Sequence, residues 1–124
     1  MWISRSYLAE LSLSDFMDFD EYQKETAKTA IYPKEREDEY LALGLASEAG
    51  EYAGRVKKTI RDKGGIIGES EREARKYELG DVMWYIARSA DQLGYSLEEI
   101  AVANIEKLRE RQRKGTINGS GDNR

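Results

Sequence analysis

Apolar residues in this chain recur at three- and four-residue spacing, the period of an amphipathic helix, and no segment settles into the two-residue alternation of a strand hairpin. Four helices follow from that pattern. The first is predicted from about Ser14 to Thr29, with Ser14 as N-cap and acids in its first turn that complement the helix dipole; the IYP triplet around Pro33 ends it. The second is predicted from about Lys34 to Asp62. It starts in the charged EREDE stretch, continues through LALGLASEAGEYAGRVKKTI, and stops at DKGG with basic residues in its last turns. The third spans about Glu69 to Leu93, where Tyr77, Val82, Trp84, Tyr85, Ile86 and Leu93 form a broad apolar surface, and Gly94 is its stop.

Ser96 and Glu99 then form a capping box that opens a fourth helix. Its stripe of Leu97, Ile100, Ala101, Asn104 and Leu108 is expected to close the core before RERQRKG ends it. The closing TINGSGDNR holds too many small polar residues to be helical. No internal repeat interrupts this order. The expectation is an all-α single domain over 1–124 of four-helix bundle type, with a helical core over about 14–112 and a tail over about 115–124.

Composition narrows the chemistry more than the fold. A chain of 124 residues without cysteine has no disulfide, no thiolate zinc site and no thiol nucleophile. It also has no histidine, which removes the commonest general base and a leading ligand for zinc, copper and iron. Any bound metal must therefore be a hard ion held by oxygen: magnesium, manganese or calcium. A formal net charge of −4 gives no reason to expect a nucleic acid polymer as partner. The absence of a long apolar run, and of an apolar middle in MWISRSYLAE, leads to the expectation of a cytoplasmic protein without membrane association.

Two acidic pairs stand out against that background. KYELGDVMWYIA sets Glu78 and Asp81 beside an apolar run, and ASEAGEYAG sets Glu48 and Glu51 among alanines and glycines. Residues three apart share a helix face, so each pair is a two-pronged oxygen ligand. With 35% of residues charged, such spacing also arises by chance on a solvated face. The neighbours weigh against that reading. Gly44, Ala46, Ala49, Gly50, Ala53 and Gly54 carry, in the glycines, a cost in helix propensity that close approach of a helix or ligand would offset. Around the second pair, Tyr77, Leu79, Val82, Trp84 and Tyr85 leave little of an ordinary polar face. If the second and third helices pack antiparallel, the four carboxylates meet, and their repulsion is relieved either by a cation or by some of them taking up protons. Magnesium, usually held by few carboxylates together with substrate phosphates, suits such a cleft.

The E-x-x-E pair, the 26 residues from Tyr52 to Tyr77, and the E-x-x-D pair together resemble the MazG-type all-α nucleoside triphosphate pyrophosphohydrolases. GLASEAGEYAGRVKK, ELGDVMWYIA, LGYSLEEIAVANIEKLRERQRKG and the closing GSGDNR extend the likeness over roughly Leu41 to Arg124. One departure is Ser47, where the family often has a glutamate preceding Glu48. The resemblance implies a Mg2+-dependent hydrolase, with Mn2+ able to substitute, that cuts a (d)NTP between the α and β phosphates to give (d)NMP and pyrophosphate and so controls a nucleotide pool. It implies Glu48, Glu51, Glu78 and Asp81 as metal ligands, with Glu48 also orienting or deprotonating the attacking water.

It further implies substrate contacts from Asn104, Lys107 and Arg111, a polar residue near the substrate at Gln23, and a phosphate or partner contact from Arg124; Trp84 is a candidate for base stacking, set against the commoner role of such a tryptophan in core packing. Lys57 and Lys58 need no function beyond closing a helix. A homodimer or homotetramer is also implied. Two alternatives stay open: a related all-α phosphohydrolase of dUTP or nucleoside diphosphates, and a noncatalytic helical oligomerisation or regulatory module whose acids are merely solvated.

Overall fold

The computed structural model describes residues 12–122, and these are helical, with no strand among them. The order is α1 (Leu13–Phe16), α2 (Phe19–Ala27), a 3-10 turn (Lys34–Arg36), α3 (Glu37–Lys63), α4 (Glu69–Leu93) and α5 (Leu97–Lys114). The first expected helix is thus two pieces. Asp18 caps a new start, its Oδ1 accepting from the Glu21 backbone N–H at 2.8 Å, and this separates the single turn of α1 from α2. After Pro33 the chain makes one tight turn before α3, so the second helix begins three residues later than its charge pattern suggests.

α3 and α4 form an antiparallel hairpin about 40 Å long by their residue count. Its pairings run in opposite chain directions: Asp38 with Gln92, Gly44 with Tyr85, and Arg55 with Glu71. The reversal between the helices uses Gly64 and Gly65 at φ 59° and 80°, and the Gly65 N–H donates to the Thr59 carbonyl at 3.1 Å. Gly44 has a different role. A Cβ there would lie 2.1 Å from the Tyr85 ring, so the ring packs directly on the α3 backbone.

α2 docks on the far end of α4. Gln23 and Thr26 are buried there; Thr26 Oγ1 accepts from Arg88 Nε at 3.1 Å, and Arg88 pairs with Asp91 one turn later. Gln23 ties three elements together, donating to Asp91 Oδ1 and the Tyr95 carbonyl and accepting from the Leu97 N–H. The fully buried apolar residues near this junction are Leu41, Ala87 and Ala90.

The expected four-helix closure is corrected by α5. Its capping box forms as read, with the Glu99 N–H donating to Ser96 Oγ and the Ser96 N–H to the Glu99 carboxylate. Beyond a half-buried Leu97, the stripe that was to seal the core faces solvent: Ile100, Ala101, Asn104 and Leu108 are exposed, as is Ile105 beside them at 47%. Tyr77 on α4, expected in the apolar surface of that helix, is 67% exposed as well. The described residues supply too few helices around the hairpin to cover every apolar face. From Thr116 to Asp122 the tail is non-helical, as its composition suggests. Among the described residues no helix is long and apolar enough to cross a membrane.

Candidate functional site

The hairpin brings Glu48 from α3 to Glu78 and Asp81 from α4. Each offers one carboxylate oxygen, and these three atoms lie within 4.8 Å of one another. The antiparallel register produces this: Gly44 opposite Tyr85 places Glu48, one turn further along, opposite Asp81 and Glu78. Glu51 is exposed and stands outside this set, although its charge still reaches Glu48. Asp81 is exposed and Glu78 half-buried, so only one of that pair has the partial burial expected from its apolar neighbours. Burial, and then the charges of Asp81, Glu78 and Glu51, push the Glu48 carboxyl above its ordinary value.

This donor set fits a hard divalent cation. Converging carboxylates are the oxygen ligands such ions take, and their mutual repulsion, visible in Glu48, is what a cation would relieve. One cation of the protein already approaches: Arg55 Nη1 lies 3.8 Å from Glu78 Oε1.

A cavity of about 320 Å³ adjoins the acids, lined by Glu48 and Asp81 together with Tyr32, Tyr40, Trp84 and Tyr85. Its walls are fixed by ring contacts. Tyr32 stacks on Tyr40 at 5.0 Å between centroids, and Trp84 meets Tyr85 edge-on at 4.9 Å. Trp84 Nε1 donates to Thr29 Oγ1 at 2.8 Å, which orients the indole. Tyr32 donates to Glu37 Oε1 at 2.8 Å; burial, then that bond, push its hydroxyl up to about 12. Burial also raises Tyr85, with help from its hydrogen bond to Tyr40 and the charges of Glu48 and Asp81, and it raises Tyr22 together with Asp81. These phenols therefore stay protonated donors beside the carboxylates at neutral pH.

The other sequence-derived candidates lie in different places. Gln23 lines a separate cavity of about 440 Å³ with Asp91 and Tyr95, and its amide is engaged in the three bonds that join α2 to the α4–α5 turn. Asn104 is exposed on α5. Lys107 and the buried Arg111 both donate to Asp122 Oδ1, at 3.2 and 2.9 Å, so the tail folds back onto these two cations. Arg111 first, and then Lys107, hold the Asp122 carboxyl below its ordinary value. Arg124, with Asn123 and the MWISRSYLAE start, lies outside the described residues.

Sequence reasoning missed Tyr32 and Thr29, which join the site only through the packing of the α2–α3 connection, and Tyr40, which shares the α3 face of Glu48. It also missed Arg55, although a signal was present: Tyr40, Gly44, Glu48, Glu51 and Arg55 fall on one face of α3 at three- and four-residue steps.

The MazG nucleotide pyrophosphohydrolase domain matches residues 36–116, which hold both acidic pairs. The chain is also similar to the Gene 37 protein of Mycobacterium phage L5, at 45% identity over 114 residues that cover 87% of this chain and all of that relative. No solved structure matches it. With its acids meeting across the hairpin and most of its length matched, the chain belongs to the MazG nucleotide pyrophosphohydrolase family.

Proposed function

We propose that this protein hydrolyses a nucleoside or deoxynucleoside triphosphate between the α and β phosphates, releasing the monophosphate and pyrophosphate, and thereby controls a nucleotide pool in the cytoplasm. The observation that carries the reading is the union of two features in one cleft: the carboxylates of Glu48, Glu78 and Asp81, and the aromatic cavity that shares Glu48 and Asp81 as lining. A planar base fits between aromatic walls, and the phosphates then lie over the acids.

Glu48, Glu78 and Asp81, with Glu51 at the margin, would hold Mg2+, or Mn2+ in its place. When bound, the metal neutralises phosphate charge and makes water a better nucleophile. Glu48 is the carboxylate proposed to take the water's proton, because it lines the cavity and converges with Glu78 and Asp81. Trp84 would stack on the base; its place in the cavity wall beside Tyr32 and Tyr40 supports that role. Asn104, Lys107 and Arg111 on α5 are the polar groups for the substrate's outer parts, with Arg124 as a further phosphate or partner contact. Gln23 acts on this reading by positioning the α4–α5 turn.

Self-association belongs to the same proposal. The exposed apolar face of α5 and exposed Tyr77, Leu79 and Ile86 on α4 are more than a monomer of this size ordinarily leaves in water, and a second copy, as dimer or tetramer, would cover them.

The test is incubation with Mg2+ and each canonical NTP and dNTP, resolving monophosphate, diphosphate, pyrophosphate and phosphate. Monophosphate and pyrophosphate in equal amounts, lost in E48Q and D81N, support the reading. Diphosphate and phosphate, or no turnover of any nucleotide, overturn it.

A further inference from the structure

Along α3 the cleft has an order. Tyr40 lies about 12 Å before Glu48, and Arg55 about 10 Å beyond it on the same face. The antiparallel α4 repeats the order in reverse: Trp84 and Tyr85 at the aromatic end, Asp81 and Glu78 at the carboxylates, Glu71 opposite Arg55. Aromatic rings, acids and a guanidinium thus follow one another along the hairpin, with Arg55 lining a neighbouring cavity of about 160 Å³ beside Lys58 and Glu71.

Arg55 is only lightly engaged. Among the described residues its one hydrogen-bond partner is Glu71, reached from Nη2 at 3.2 Å. Glu71 does not depend on it, because Arg75 holds the same carboxylate at 3.0 Å and is itself fixed by Thr59 at 3.1 Å. The Arg55 Nε is buried with no hydrogen-bond partner, and Nη1 stands 3.8 Å from Glu78, close enough to feel its charge but too far to bond. Guanidinium has five donors in a rigid fork that matches phosphate oxygens, and most of these are unspent at the edge of the acidic cluster.

We propose that Arg55 is the phosphate-end contact of this site, taking the β and γ phosphates of the substrate and stabilising the departing pyrophosphate. This rests on the reading given under Proposed function and adds a direction to it: base against Trp84, α phosphate at the acids, pyrophosphate toward Arg55. In the reaction a water oxygen bonds to the α phosphorus while the bond from that phosphorus to the α,β-bridging oxygen breaks. The bridging oxygen keeps the electron pair and leaves as part of pyrophosphate, and the water's proton passes to the Glu48 carboxylate and on to solvent. Charge grows on the leaving group, and Arg55 is the cation beside it.

The test is calorimetric binding, in Mg2+ buffer, of inorganic pyrophosphate and of the monophosphate product, to wild type, R55Q and R55K. R55Q is expected to weaken pyrophosphate binding roughly tenfold or more while changing the monophosphate less than about twofold, and R55K to fall between. A general disturbance of the hairpin would weaken both products alike, and that result, or unchanged pyrophosphate affinity in R55Q, overturns the proposal. If R55Q does not fold by circular dichroism, R55K decides by the same contrast between products. Wild type that turns over the triphosphate yet gains nothing from Arg55 removes this inference alone. Wild type that neither hydrolyses a triphosphate nor binds either product removes the parent reading with it.

Discussion

The α3–α4 hairpin and α5 have similar local credentials and different tertiary fates. Both are amphipathic, both end in a left-handed glycine, and α5 has the better N-terminal cap, with a complete capping box that α3 and α4 lack. Yet the hairpin packs along its length and gathers the acids, while α5 is anchored at its first turn by Gln23 and near its last by the tail, with Ile100, Ile105 and Leu108 between left in solvent. Capping chemistry starts and stops a helix; it has no bearing on what covers the helix's face. The candidate site follows the same division, since the converging carboxylates lie where two helices are held in register and the uncovered apolar surface lies where one is not.

The sharpest way to break this contrast is in the hairpin. E48Q or D81N should cut pyrophosphate release by roughly a hundredfold to ten-thousandfold with an unchanged circular dichroism spectrum; a surviving rate would mean that the acids are a solvated face and the hairpin no more a site than α5. Next in size is the exposed helix. An I105D, L108D double variant should shift the protein to a smaller species in sedimentation velocity, because each charge removes about 1–2 kcal/mol of apolar cover at a subunit contact. Unchanged sedimentation would leave that stripe genuinely open.

Two glycines on one helix give a finer comparison. G44A forces a methyl into the Tyr85 ring and should cost about 1–3 kcal/mol in a urea melt, with lower activity as Tyr85 leaves the cavity wall. G50A meets nothing within 4 Å in the subunit and should stabilise it by up to about 1 kcal/mol. Destabilisation by G50A would place that face of α3 against another copy.

The smallest effects are in pH, and they have opposite signs in the two regions. Glu48 is raised in the folded protein, so the native state holds more protons and metal-free stability falls as pH climbs from the ordinary value of 4.5 through the folded one; E48Q should flatten that decline. Asp122 is lowered by Arg111 and Lys107, so its contribution is present above the ordinary 3.8 and lost as pH falls through the folded value; D122N should remove it. Urea melts of both variants from pH 3 to 7 resolve the two slopes. Asp122 is well exposed, so its slope is the shallower.

Much of the fold and part of the site can be read from residues in order. The third expected helix coincides with α4 from Glu69 to Leu93 because no proline or glycine cluster competes within it and Gly94 ends it. The first divides because Asp18 is a stronger local start signal than the continuing periodicity on either side. Glu48, Glu78 and Asp81 are legible because their helical spacing sits in unusual company. The aromatic cavity is legible only in part: Tyr40 shares the α3 face of Glu48, but Tyr32 precedes Pro33 outside any helix, and only the turn of the α2–α3 connection carries it to Tyr40 and Trp84.

By itself, the amino-acid sequence determined where the helices start and stop, which faces are apolar, that any metal must be bound by oxygen, and which two segments carry the acids. These are matters of neighbours within a few residues, where backbone propensity, caps and spacing act directly. Tertiary structure alone decided that Glu48 meets Glu78 and Asp81 while Glu51 stays at the edge, that Gln23 joins α2 to the α4–α5 turn, that Arg55 stands 3.8 Å from Glu78, and that Ile100, Ile105 and Leu108 of α5 are uncovered. Each of these depends on the register of α3 against α4 and on how many helices surround them, which is set by packing between residues far apart in the chain, with Gly44 against Tyr85 as its most direct trace.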